Sequence, residues 1–199
     1  KLDINEDSEI SGAIVQGGTV AVDVAQDKTL TYSGASLSLG ANTLKITGSG
    51  TLSNSNTIVL GEGSKLQLAG TNTVSGPVTL NAGVIDVDES STLSSDLTLG
   101  GSATIDVAEE KTLTYEGAAL SLGANTLTVA GAGTLSNASG YVLGDQESVL
   151  KLLGTNTISG PVSLNAGVID VDESSELSSD LTLGGSATID VAQEKTLTY

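Results

Sequence analysis

The chain has 199 residues, a formal net charge of −17 from 24 acidic and 7 basic side chains, and 2% aromatic residues, with no Phe, Trp, Met, His or Cys. A conventional core built on large aromatics is therefore excluded, and a polyanion such as DNA or RNA would be repelled from most of the surface. Thiolate nucleophiles, imidazole bases, disulfides and His/Cys zinc sites are excluded together, which leaves a non-enzymatic role as the expectation.

Internal repetition organises the chain. Residues 71–115 return as 155–199 at an offset of 84, and 28–44 return as 111–127 at an offset of 83, the difference arising where GEGSK becomes GDQESV. One continuous domain is expected, with long repeats at 1–83 and 84–167 and a partial one at 168–199. Cutting after the Gly-rich turns gives about ten coils of 18–24 residues: 1–18, 19–42, 43–64, 65–83, 84–101, 102–125, 126–148, 149–167, 168–185 and 186–199. Four coils make one long repeat.

In chain order, each coil opens on an apolar-x-apolar segment. Its first apolar column reads Leu2, Val22, Leu44, Leu66, Ile85, Ile105, Leu127, Leu150, Ile169 and Ile189, and a second column follows two residues on, from Ile4 and Val24 to Val171 and Val191. A third column sits in Thr-Leu-Ser/Thr triplets: Ile10, Leu30, Leu52, Val74, Leu93, Leu113, Leu135, Ile158, Leu177 and Leu197. Complete coils close on a pair such as Leu37/Leu39, Ile58/Leu60 or Leu97/Leu99, whereas the first coil has Ile14 and Gln16. Period-two alternation predicts strands, and parallel stacking of equivalent coils buries every column in one interior. The predicted fold is all-β, a three-sided parallel β-solenoid. A string of immunoglobulin-like sandwiches would need inequivalent strands around a bulky centre, which interchangeable coils do not supply.

Outward positions form columns of their own. Between the first two apolar columns lie Asp3, Asp23, Lys45, Gln67, Asp86, Asp106, Thr128, Lys151, Asp170 and Asp190. Stacked carboxylates about 4.8 Å apart repel unless a cation is shared, so Asp86, Asp88, Asp106, Asp170, Asp172 and Asp190 are candidate ligands of a weak calcium ladder, the one cofactor considered. The plainer reading is a solvated acidic face. Paired acids also permit a polysaccharide-processing reading, but the pairs recur instead of marking one cleft, with no Arg, His or Trp to hold a sugar. The triplets carry hydroxyls outward at Thr29, Thr31, Thr51, Thr73, Thr92, Thr112, Thr114, Thr134 and Thr157. This surface ladder resembles the T-x-T array of ice-binding β-solenoids on one face, although Ser fills many second positions and Glu9 and Glu176 interrupt it. Threonine is also simply a good strand residue. The tyrosines are expected to plug wide coils, and Lys28, Lys111 and Lys195 to balance Asp27, Glu110 and Glu194.

The whole chain, rich in Gly, Ser, Thr, Asn and Asp in coil-forming columns, resembles the repeat regions of bacterial surface β-helix proteins: autotransporter passengers and filamentous-haemagglutinin-type adhesins. The resemblance implies a secreted or cell-surface rod serving as fibre, matrix or adhesin stalk, with cell-surface glycans as possible ligands and no catalytic residue to transfer. The sequence starts and stops inside the coil pattern without an amphipathic cap, so self-association through open ends, or a longer parent chain, is expected. No stretch approaches the roughly 18 apolar residues of a membrane span.

Overall fold

A computed structural model describes all 199 residues. There is no helix; every regular element is a strand, and all pairings are parallel between successive coils. Three faces result. The first begins with Leu2–Ile4 and Val20–Val24, the second with Ser8–Ile10 and Thr29–Tyr32, and the third with Leu37–Ser38 and Ile58–Leu60. At one strand spacing of about 4.8 Å per coil, ten levels make a rod roughly 45 Å long.

The strands form because apolar and polar residues alternate, and the burial pattern follows that alternation: buried and half-buried positions alternate through Lys65–Leu68, Val84–Val87 and Val149–Leu152. Forty-two buried apolar residues form one continuous cluster along the axis. In the middle coils Leu66, Ile85, Ile105 and Leu150 are completely buried. At the ends Leu2, Leu183 and Val191 are 38%, 60% and 38% exposed, because no further coil covers them.

The columns do not stack in straight lines. Between the coils at 19–42 and 43–64 the first face pairs Val20 with Leu44 and Val22 with Ile46, two residues away from the alignment of Val22 with Leu44 expected from sequence. The same displacement recurs where Ala103 faces Leu127 and Ile105 faces Val129. On the second face the displacement falls one coil earlier: Ile10 faces Tyr32, Leu93 faces Tyr115, and Ser175 faces Leu197.

Corner length explains both. Eight residues separate Ile105 from Leu113, but six separate their partners Val129 and Leu135, so the corner at Ala108–Lys111 carries two extra residues. Because the step is even, every inward side chain stays inward. Each long corner is closed by a backbone hydrogen bond, as from Lys111 N–H to the Ala108 carbonyl at 3.0 Å, with Glu110 at φ 60°. Asp27 and Glu194 occupy the same place at φ 58° and 63°. A left-handed L-residue costs about 1–2 kcal/mol, while glycine loses about 0.5–1 kcal/mol more entropy on folding. Exposed Glu110→Gly is therefore expected to stabilise the rod by about 0.5–1 kcal/mol, read as a higher denaturant midpoint at unchanged slope.

The third face is interrupted. Its four strands from Leu37–Ser38 to Leu97–Leu99 form one sheet, and Leu120–Ser121 and Tyr141–Leu143 pair onward into a second. At the break the Leu97 N–H, which would otherwise join the next strand, donates to the Tyr115 hydroxyl at 3.1 Å. Ile14 N–H makes the corresponding bond to Tyr32 at 3.4 Å. Tyr32 and Tyr115 thus do more than fill wide coils: each hydroxyl replaces a ladder partner, and burial pushes the Tyr115 phenol above its ordinary pKa of 10.0. Gly117 makes this possible, since a Cβ there would lie 2.4 Å from the Tyr115 ring and hydroxyl.

Candidate functional site

The acidic face is built from Asp residues between the two apolar columns, and at Asp23, Asp86, Asp106 and Asp170 both flanking residues are buried. Asp3 faces Asp23, Asp86 faces Asp106, and Asp170 faces Asp190 in direct register. The three pairs expected from sequence are therefore real juxtapositions. Lys45 is displaced from its expected place: it lies between Ala21 and Gln67, because of the two-residue step.

Each pair has a lysine partner. Lys1 Nζ lies 2.9 Å from both Asp3 and Asp23. Lys65 reaches Asp86 at 2.8 Å, while Asp88 accepts from Gln67 Nε2 at 2.8 Å. In the next long repeat Val149 replaces Lys65 and Lys151 replaces Gln67, and Lys151 lies 2.6 Å from both Asp170 and Asp172. The cation has moved by one outward position in sequence yet still meets the equivalent carboxylate. Hydrogen bonding to Asp3 and Asp23 raises the Lys1 pKa to about 12, and the same bond from Lys1 holds Asp23 below its ordinary 3.8. Lys65 and Lys151 are likewise raised by their Asp partners.

Asp106 behaves oppositely. Partial burial and the facing Asp86 lift its pKa above 3.8, against a smaller opposing pull from Lys65. A carboxyl whose pKa rises on folding detracts from stability when ionised, and the cost disappears as pH falls through its folded-state pKa and then the unfolded value. Asp106→Asn is expected to raise the melting temperature at pH 7, by an effect of roughly 0.2–1 kcal/mol for removing a like-charge neighbour, and to lose that advantage below about pH 4. Melting curves of both proteins across this range check it.

No three acidic side chains converge into a metal-binding group. Asp86, Asp88 and Asp106 adjoin one another along two coils, as do Asp170, Asp172 and Asp190, but the nearest cationic groups are lysine ammoniums. Calcium would have to compete with them. Titrating calcium at moderate ionic strength is expected to leave the melting temperature within about 1 °C, since Lys65 and Lys151 already compensate these charges.

Two further ion pairs revise the expected lysine partners. Lys111 pairs with Glu89 at 2.7 Å and Lys195 with Glu173 at 2.6 Å, each reaching back to the preceding coil and not to Glu110 or Glu194 beside it. The long corner lifts these lysines over the coil beneath.

The hydroxyl ladder occupies the second face. Thr29, Thr51, Thr73, Thr92 and Thr114 form one unbroken rank, continued by Ser136 and Ser159. Thr31 leads a shorter rank with Ser53 and Ser75, whereas Thr112, Thr134 and Thr157 lie on the opposite side of the long rank and run into Glu176. The paired columns expected from sequence thus step sideways at Thr92/Thr114.

No protein family, curated protein or solved structure matches this chain. Its chemistry is read from its own residues. Four buried asparagines, missed by the column reading, fasten successive coils: Asn72 Nδ2 donates to the Gly48 carbonyl at 2.8 Å, and Asn156 Nδ2 to those of Val129 and Gly131 at 3.0 and 3.2 Å. Asn54 and Asn137 brace the next corner. Their signal was an Asn at matching places in successive long repeats, Asn54 with Asn137 and Asn72 with Asn156.

Proposed function

We propose that the protein is a non-catalytic structural rod of the cell exterior, a fibre, matrix or stalk element formed by stacking β-solenoid coils. The observation that carries this reading is the repetition of interchangeable coils, each paired in parallel with the next around one continuous apolar interior. A further coil of the same kind can join such a stack through the same parallel pairing. The acidic pairs repeat along the rod with lysine partners, as a solvated face does. The hydroxyl ranks step sideways, which suits contact between neighbouring strands better than one flat ice-ordering plane; absence of thermal hysteresis is the matching expectation.

Electron microscopy and sedimentation velocity at rising protein concentration test the reading. Continuous fibres with an axial repeat near 4.8 Å are expected. Assembly should strengthen with salt, because a net charge of −17 opposes association at low ionic strength. Discrete short rods at every concentration and salt level would overturn it. Placement at the cell surface, with cell-surface glycans as ligands, follows from the resemblance to surface β-helix repeats.

A further inference from the structure

The third face differs from the other two in carrying no charge. Each of its strands turns one residue outward: Val59, Thr79 and Thr98 stand in direct register in the first sheet, and Ser121, Val142 and Ser163 in the second. Val59, Thr79, Val142 and Ser163 are half-buried, each between two buried apolar residues. No strand of this face points a charged side chain outward. On the first face, by contrast, Asp86 faces Asp106 and Lys151 faces Asp170, and on the second Glu9 faces Thr31 and Glu176 faces Thr157.

In a chain of net charge −17, the uncharged face is where a second acidic rod meets the least repulsion. The carboxylates that border it, Asp96 and Asp180, precede its strands and are exposed, so salt screens them. Its outward valine returns every fourth coil, at Val59 and Val142, a spacing of about 19 Å. Two such faces laid together can therefore keep valine against valine after a shift by one whole long repeat.

We propose that the third face is a lateral contact surface whose partner is the same face of a second rod of this protein. A cationic partner would be drawn to the acidic first face, and an anionic one repelled from the rod as a whole. A neutral face with the same valine spacing is what another copy presents. Short Val, Thr and Ser side chains also lose little rotamer freedom on contact.

Area decides when the contact holds. A three-residue strand about 10 Å long, at a spacing of about 4.8 Å, presents roughly 50 Å² per coil. Eight such strands bury about 800 Å² over both rods, below the roughly 1,000 Å² of a specific interface. Single chains should remain unpaired, whereas stacks of two or more chains should pair along their length. Lateral contact thus rests on the coil stacking proposed for this rod and follows elongation.

Electron microscopy of the full chain, at salt concentrations that yield filaments, tests this. Val142→Asp and Thr79→Asp charge the third face, while Thr73→Asp and Thr128→Asp are matched changes on the second and first. Paired or bundled filaments are expected for wild type and for the two matched variants, and single filaments of unchanged length for Val142→Asp and Thr79→Asp. Single wild-type filaments at every salt concentration, or bundles that persist in both third-face variants, would overturn the lateral contact and leave the stacking reading standing. No filaments at all would overturn both. Melting curves establish that each variant is folded; if one third-face variant is not, the other and the wild-type morphology decide.

Discussion

Replacing Tyr115 by alanine should lower stability by about 4–8 kcal/mol, a large loss for a single side chain. Two effects combine. Removing a buried aromatic ring costs about 3–5 kcal/mol through lost transfer energy and the cavity left behind, and the ring here is 3% exposed inside the continuous core. The hydroxyl also accepts from Leu97 N–H where the third face is broken. Tyr115→Phe separates the terms: it keeps the ring, orphans one backbone donor and should cost about 1–3 kcal/mol. Urea unfolding of the three proteins checks the order. A Phe variant as stable as wild type would show that the third-face strands close the gap by pairing directly, without the hydroxyl.

That gap shows where the sequence stopped being legible. Columns such as Leu66, Ile85 and Ile105 were readable because period-two alternation fixes which face a residue takes, and their burial agrees. The axial alignment of coils was not, because a two-residue step leaves every inward residue inward. Its signal was present in the 24-residue coils at 19–42 and 102–125 and in the Gly-x-Gly that follows each, Gly48-Ser49-Gly50 and Gly131-Ala132-Gly133. The acid pairs were legible because no step intervenes between Asp86 and Asp106 or Asp170 and Asp190. The partners of Lys111 and Lys195 were not, because these lysines reach across coils to Glu89 and Glu173 over a corner two residues longer than its neighbours.

The step itself predicts the second large effect, at Gly131. Its φ is +79°, and an added Cβ would lie 2.1 Å from the Val107 carbonyl oxygen and 2.7 Å from Asp106 Oδ1. The obstacle is backbone, so no side-chain rotation relieves it. The Val107 carbonyl also accepts from Ala132 N–H at 3.1 Å and Gly133 N–H at 3.0 Å, which wraps the displaced coil around one oxygen. Gly131→Ala must therefore carry a left-handed backbone, about 1–2 kcal/mol, and weaken both bonds, at about 1 kcal/mol each. A loss of about 3–4 kcal/mol is expected, near 10 °C in melting temperature for a chain of this size. Gly123 has a comparable φ of +54° but only the Asn125 amide near its virtual Cβ, at 3.6 Å. Gly123→Ala should show the conformational cost alone, about 1–2 kcal/mol. If the two variants melt together, the steric account of the step fails and only its dihedral angle matters. If Gly131→Ala melts well below Gly123→Ala, contact with the Val107 carbonyl is what reserves this position for glycine, and the same argument then holds at Gly48, whose virtual Cβ meets Val24 O at 2.1 Å.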